Sequence, residues 1–152
     1  MAEEINSLLI PIGQQQVIVP QSGLAEVVAR ESMQPVDSGV LWLRGMMNWR
    51  GEQISVISLE LLCGRDAPPL TDDSRLVVLY AIERIPGLKY YALEVTGIPH
   101  PVRIGETSLM MGGSQDAGCE AIASNVIADG DEAVFLNSTY IEAQISGVLQ
   151  RL

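Results

Sequence analysis

The stretch Leu43-Arg-Gly-Met-Met-Asn-Trp-Arg-Gly51 is the most informative part of the sequence. It holds two arginines, each followed by a glycine, with an apolar pair and an asparagine between them. A glycine after a charged residue favours a tight reversal, because glycine adopts backbone conformations that other residues avoid. We therefore expect Arg50 to project from a turn at the end of one strand, with Gln53 to Leu59 forming the next strand. An arginine fixed in this way suits a partner's carboxylate, although a solvated turn arginine fits these residues equally well.

The composition restricts the class of protein. The chain has 152 residues, of which 47% are hydrophobic and 18% charged, and its formal net charge is −10. This length predicts a single domain, residues 1–152, with a sizeable core. Nucleic-acid binding needs a basic surface, so a chain with nineteen acids, nine bases and one lysine is a poor candidate for it. One histidine and two cysteines that lie 56 residues apart exclude the usual zinc sites.

The cysteines and the start of the chain predict a cytoplasmic protein. Cys63 and Cys119 fit buried, unreactive thiols in a reducing compartment better than a disulfide framework. The first four residues carry two acids where a secretory signal has a basic region, so no signal peptide is predicted. The longest apolar run, Leu76 to Ile82, is too short to cross a bilayer, so we expect no direct membrane insertion.

Short apolar segments separated by glycines and prolines predict a mostly β fold. Leu8 to Ile12 and Gln16 to Pro20 read as one hairpin, and the pair Asp129-Gly130 is a strong signal for a second. Further strands are expected at 53–59, at 76–82 and 90–95 around a type II turn at 85–87, and at 97–104 on a sheet edge.

Two helices are also predicted. Leu24, Val27 and Val28 have the i, i+3, i+4 spacing of a buried helix face, so a short helix is expected near the N-terminus, through Ala29. Asn137-Ser-Thr139 supplies a cap for a C-terminal helix over residues 140–149.

No residue pattern predicts a catalytic, metal-binding or cofactor-binding site. His100 lies between two prolines and has no evident partner for general-base catalysis. Residues 113–118 have the spacing of a phosphate loop but lack its lysine. Residues 129–132 resemble the start of a calcium loop but lack its later ligands, so a turn is the better interpretation.

The segment Gly45-Met-Met-Asn-Trp-Arg-Gly51, with the strand Ile54 to Leu59 after it, resembles the characteristic motif of the CheW-like domain family. In that family the motif reads glycine, two aliphatic residues, asparagine, an apolar residue, arginine and glycine, before a strand that runs into aspartate-leucine. Leu24-Ala-Glu-Val27 is similar to the family's valine-x-glutamate-isoleucine segment. The first hairpin, the late hairpin and the C-terminal helix come in the family's order, so the resemblance covers nearly the whole chain.

The resemblance implies a fold, a function and a site. The fold is two intertwined five-stranded β-barrel subdomains around a shared hydrophobic core. The function is that of a non-enzymatic adaptor in chemotaxis signal transduction, which couples the cytoplasmic tips of chemoreceptors to the regulatory domain of a CheA-type histidine kinase. Carried over by position, the partner-binding residues are Leu24, Glu26, Asn48, Arg50 and Gly51. The family uses no cofactor, metal or catalytic residue.

The sequence also departs from the family's pattern. Ser55 stands where many members have proline, and Ser58 where aspartate is usual, while Met46, Met47 and Trp49 replace the common aliphatic residues. These differences indicate a divergent adaptor, such as one that serves a type IV pilus chemosensory system and twitching motility.

Two other functions remain open. One is a small-ligand binding or hydrolytic β-barrel domain in which Glu26, Glu94 or Asp129 is the general base, which requires burial to raise a carboxyl pKa. The other is an acidic regulator that binds a basic partner through net charge alone, and such binding should collapse when salt is added.

Overall fold

The structure is a computed structural model, which describes residues 5–105, 109–111, 119–128 and 130–151. The predicted mostly β fold is confirmed, because these residues form two six-stranded sheets and two short α-helices. In chain order the elements are β1 (Ile5–Ile12), β2 (Gln15–Pro20), β3 (Leu24–Ala29), β4 (Gln34–Pro35), β5 (Leu43–Trp49), β6 (Glu52–Ile57), α1 (Leu59–Leu62), β7 (Arg75–Tyr80), β8 (Tyr90–Val95), β9 (His100–Ile104), β10 (Leu109–Met111), β11 (Ile122–Ala128), β12 (Asp131–Leu136) and α2 (Ser138–Leu149).

The first sheet has the strand order β10–β11–β12–β2–β1–β9. Both predicted hairpins are confirmed, because β1 pairs antiparallel with β2, and β11 pairs antiparallel with β12. The predicted edge strand is confirmed as β9. The two halves of the sheet meet where β12 runs parallel to β2, with Val134 opposite Val17.

The second sheet has the order β3–β7–β8–β6–β5–β4. The type II turn predicted between β7 and β8 is confirmed, because the Leu88 N–H donates to the Ile85 carbonyl at 3.0 Å and Gly87 has a φ of 82°. The predicted C-terminal helix is confirmed as α2, whose first turn is capped by the Asn137 side chain.

Each sheet contains strands that are apolar on both faces. In β2, Val17 and Val19 belong to a large core shared by the two sheets, while Ile18 belongs to a smaller cluster on the other face. In β7, Val77 and Leu79 belong to the shared core, while the residues that alternate with them, on the opposite face of the strand, pack in a third cluster. The family's arrangement of two subdomains around a shared core is therefore present. Two details differ from the expected five-stranded barrels. Each sheet has six strands, because the short strands β4 and β10 each extend one sheet, and the strand pairing of the described residues does not close either sheet into a barrel.

The helix predicted near the N-terminus is wrong. Leu24–Ala29 is strand β3, which pairs antiparallel with β7 along its length, and a three-residue 3₁₀ turn precedes it. A six-residue apolar run does not distinguish a strand from a helix by periodicity, and a β-bulge after Leu24 shifts the alternation. The adjacent β-branched residues Val27 and Val28 favour the strand.

The prediction of two separate buried thiols is also wrong. Cys63 follows α1 and Cys119 precedes β11, and the two are joined in a disulfide with their Cα atoms 5.0 Å apart. Their separation of 56 residues gave no indication of this, because only the packing of α1 against the start of β11 brings them together.

Candidate functional site

Arg50 lies in the two-residue loop of the hairpin formed by β5 and β6. Trp49 pairs with Glu52, which leaves Arg50 and Gly51 as the loop, with φ angles of 49° and 79°. Two successive left-handed residues are typical of a type I′ turn, whose twist matches that of the strands. The prediction that Arg50 projects from a strand end is confirmed, and its side chain is 65% exposed.

Two neighbours hold the Arg50 side chain in place. Its guanidinium carbon lies 4.5 Å from the centre of the Trp49 ring, and its Nη2 lies 3.5 Å from Glu26 Oε1. The same carboxylate oxygen accepts a hydrogen bond of 3.1 Å from Trp49 Nε1. Glu26 therefore pairs with Arg50, and it does so from strand β3 rather than from the helix that was predicted there.

A row of aromatic rings connects Arg50 with an apolar groove. The buried Trp49 ring contacts Tyr90 edge-on at 4.8 Å, and Tyr90 lies 5.5 Å from Tyr80 between ring centres. Tyr80 borders a groove of about 320 Å³ between the two sheets, lined mainly by apolar residues of β2, β7 and β12. Ile82, at the rim of this groove, is 63% exposed.

The buried side chain of Glu142 fixes the backbone at this rim. Its carboxylate accepts hydrogen bonds from the backbone N–H groups of Ile82, at 3.0 and 3.1 Å, and of Glu83, at 2.9 Å. Burial, and then the nearby Glu142 carboxylate, raise the pKa of the Tyr91 phenol in the groove wall well above its ordinary value of 10, while a hydrogen bond with Ser138 lowers it by a smaller amount.

The other predicted partner-binding residues surround Arg50 unequally. Asn48 and Gly51 are exposed, one in β5 and one in the turn. Leu24 is only partly exposed and packs against the shared core, which leaves less of its surface for a partner.

The two serines that depart from the family's pattern lie in and after β6. Ser58 caps α1 by accepting a hydrogen bond of 3.3 Å from the Leu61 N–H, and aspartate is equally suited to that position. Ser55 is buried, and within the described part of the chain its hydroxyl has no hydrogen-bond partner.

The acids considered as general bases do not form a carboxylate pair. Glu26 lies at the surface beside Arg50, and Glu94 is bound by two arginines, whereas Asp129 is outside the described residues. His100 is exposed in β9. The phosphate-loop-like segment 113–118 also lies outside the described residues. In the part of the chain that the structure describes, no group of three or more His, Cys, Asp or Glu side chains could hold a metal ion, and no helix is long and apolar enough to cross a membrane.

A comparison with protein families matches residues 6–139 to the CheW-like domain. The chain belongs to the CheW-like family. Proteins of this family are non-enzymatic scaffolds in chemotaxis, which supports a scaffold or adaptor role for this chain. A comparison with solved structures finds the scaffolding protein TtCheW from Thermoanaerobacter tengcongensis, with a TM-score of 0.72 and 18% identity over 89% of this chain and 85% of that chain. This likeness shows that the fold is shared. A search of curated protein sequences finds no significant match.

The structure adds residues to the candidate surface that the CheW-like motif did not indicate. Tyr80, Ile82 and Tyr90 lie in or after β7 and β8, far in sequence from the motif, and only the strand pairing brings them beside it. One signal was present in the sequence, because the pair Tyr90-Tyr91 alternates between the two faces of a strand. One tyrosine of such a pair is directed away from the shared core.

Proposed function

We propose that this CheW-like protein is a cytoplasmic adaptor that couples chemoreceptor tips to the regulatory domain of a CheA-type histidine kinase through the surface around Arg50. The observation that carries the proposal is the placement of Arg50, which is exposed, held by Glu26 and Trp49, and left-handed in a tight turn. We assign partner contacts to Leu24, Glu26, Asn48, Arg50 and Gly51, and add Tyr80 and Ile82 as apolar neighbours.

Local stability does not account for an arginine at this position. A left-handed conformation costs a residue other than glycine about 1–2 kcal/mol. The exposed ion pair with Glu26 returns at most about 1 kcal/mol, and the contact with the Trp49 ring about 0.5–1 kcal/mol. These terms nearly cancel, so an asparagine or glycine would serve the turn as well. Backbone strain retained without a gain in stability is typical of functional sites.

The surface offers two kinds of contact, as an adaptor requires. Near Arg50 the surface carries further charges, since Glu52 and Lys89 form a second ion pair at 3.5 Å. Beyond Tyr80 the surface becomes the apolar groove, which suits the apolar face of a partner helix. A partner's carboxylate can replace Glu26 as the ion-pair partner of Arg50, because the Arg50–Glu26 ion pair is long and exposed and therefore weak.

The proposal is tested by binding of the purified protein to a cognate kinase regulatory domain and, separately, to a chemoreceptor tip. We expect both to bind the wild type. Arg50→Ala should weaken at least one complex about thirtyfold or more, as expected for a central arginine worth about 2 kcal/mol. Arg50→Lys should recover only part of the affinity, because lysine keeps the charge but lacks the bidentate guanidinium.

Arg151→Ala is the matched control, since Arg151 is exposed just after α2 and its loss changes the net charge equally. If the wild type binds neither partner, the adaptor function is rejected. If Arg50→Ala binds both partners as tightly as Arg151→Ala does, the function stands but the assigned surface is wrong.

The same assay addresses binding through net charge alone. With an overall charge of −10, a basic partner would be attracted without any specific contact. Such binding should be lost between low and physiological ionic strength, and the two arginine variants should be indistinguishable. A contact through Arg50 should persist in salt and separate them.

The location and the output are further parts of the proposal. The Cys63–Cys119 disulfide provides a test of the location, because the cytoplasm keeps thiols reduced. If the protein is cytoplasmic, thiol labelling of protein taken from intact cells and then unfolded should find both cysteines reactive. Complete protection of both cysteines from the label would contradict the cytoplasmic location.

For the output of the signalling system, we propose control of pilus-based motility. Deletion of the protein should therefore impair twitching motility, and loss of flagellar swimming alone would contradict this assignment.

A further inference from the structure

A second cluster of arginines lies at the end of the second sheet that is remote from Arg50. Arg44 is near the start of β5, whereas Arg50 follows its end. Arg75 begins β7, and Arg30 follows β3, whose last residue pairs with Arg75. These three side chains and Glu94 line a cavity of about 80 Å³ beneath the segment 67–74.

The charges in this cavity do not balance. Glu94 accepts a hydrogen bond of 2.9 Å from Arg44 Nε, and its other oxygen lies 3.5 Å from Arg30 Nη2. Arg75 Nη1 donates to two backbone carbonyls, those of Asp72 and Ser74, which leave its charge in place. Within the described residues Glu94 is the carboxylate paired with these arginines, so three positive charges face one negative charge in a chain whose net charge is −10.

One polar atom in the cluster also lacks a partner. Arg30 Nε is buried and has no hydrogen bond to any described residue, whereas Glu94 Oε2 has the 3.5 Å ion pair with Arg30 Nη2. A buried donor that is left unpaired is unfavourable, and it is more so when it carries charge. An ion network that served stability alone would account for Arg44 and Glu94, but it would leave Arg30 Nε and the charge of Arg75 unmatched.

We propose that this cavity binds a small tetrahedral oxyanion of the phosphate and sulfate class. Two unmatched guanidinium charges equal the charge of one dianion, and guanidinium groups pair bidentately with phosphate oxygens. The volume is that of two to three water molecules at about 30 Å³ each, which suits one phosphoryl group but no nucleotide. Glu94 holds Arg44 and Arg30 in place, and the oxyanion accepts from Arg30 and Arg75.

The test uses the full chain with inorganic phosphate and sulfate as probes. We expect either ion to raise the melting temperature to a plateau, whereas sodium chloride of the same ionic strength does not. In a ³¹P NMR titration the phosphate signal should shift or broaden on addition of protein, and sulfate should reverse the change. Phosphoserine distinguishes a free ion from a phosphoryl group carried by a larger molecule. If phosphoserine binds as tightly as inorganic phosphate, the ligand is a phosphoryl group on a larger molecule; if only inorganic phosphate binds, the ligand is the free ion.

Variants decide whether the arginine cluster is the site. Arg75→Gln should weaken phosphate binding at least about tenfold, since it removes a charge-assisted contact, while Arg151→Gln should leave it unchanged. Equal stabilisation by chloride, or unaltered affinity in Arg75→Gln, would overturn the proposal. If Arg75→Gln does not fold, the wild-type titration decides: without a saturable, sulfate-reversible phosphate signal the cluster is a structural ion network and the proposal is rejected.

Discussion

Replacing Arg50 with asparagine should separate folding from partner binding. Arg50 and Gly51 both have positive φ angles, and asparagine-glycine is the favoured pair for such a turn. The substitution therefore relieves the backbone at Arg50 but removes the guanidinium that we assign to partner binding.

The change in stability can be worked out from the contacts of Arg50. Asparagine tolerates the left-handed region, so the turn gains about 1 kcal/mol. Loss of the 3.5 Å ion pair with Glu26 costs up to about 1 kcal/mol, because both groups are exposed, and loss of the Trp49 contact costs about 0.5–1 kcal/mol. We expect the free energy of unfolding of Arg50→Asn to lie within about 1 kcal/mol of the wild type.

Urea unfolding measures this change, provided that the slope is unchanged. Arg84→Asn is the matched control, because Arg84 has a φ of 57° and is exposed, and no ion pair of Arg84 occurs among the described residues. That variant should gain about 1 kcal/mol from the backbone alone. Binding to the kinase domain and the receptor tip, measured on the same samples, should fall about thirtyfold or more for at least one partner only in Arg50→Asn.

One result would refute this reasoning. If Arg50→Asn lost more than about 2 kcal/mol of stability, Arg50 would be a structural residue, and weak binding by its variants would follow from unfolding. Retained stability with retained binding would instead remove Arg50 from the partner surface.

Three further predictions concern the stability of the fold. Glu142→Ala should lower the free energy of unfolding by roughly 3 kcal/mol or more, because two backbone N–H groups lose their hydrogen bonds to a charged acceptor; Glu142→Gln should lose less in the same urea assay, and equal losses would contradict the role of the retained oxygen. The raised pKa of Tyr91 keeps its phenol protonated in the folded protein, whereas in the unfolded chain the phenol loses its proton near pH 10. The free energy of unfolding should therefore decline as the pH rises above 10, by up to about 1.4 kcal/mol per pH unit from this group. Urea midpoints at pH 9 to 11 should decline less steeply for Tyr91→Phe, and an unchanged slope would exclude Tyr91 as the cause. Reduction of the Cys63–Cys119 disulfide should lower stability by about 2–4 kcal/mol, since it opens a loop of 56 residues; Cys63→Ser should be insensitive to reductant, and a comparable effect of reductant on that variant would point to another cause.

Local sequence was enough wherever a turn residue or a cap determined the structure. Gly13, Gly87 and Gly130 all have positive φ angles and lie in predicted turns, and Asn137 caps α2 as its side chain predicted. The motif around Arg50 also indicated both the family and the projecting arginine, because a type I′ turn is encoded within two residues.

Local sequence was not enough where a segment's partner decided its structure. Leu24–Ala29 satisfies a helical and an extended pattern equally, and the free edge of β7 selects the strand. The cysteine pair and the aromatic row from Trp49 to Tyr80 depend on which elements become neighbours, which spacing along the chain does not encode.

The sequence by itself determined that this is a β-rich, acidic member of the CheW-like family with an exposed arginine at a turn, because turn chemistry, composition and the nine-residue motif are local properties. The tertiary structure alone decided what surrounds that arginine. Glu26, Trp49 and Tyr80 come from three different strands, and the three arginines beside Glu94 come from the far end of the same sheet. Contacts between strands distant in sequence form only when the register of the sheet is fixed, and that register depends on which face of each strand is buried.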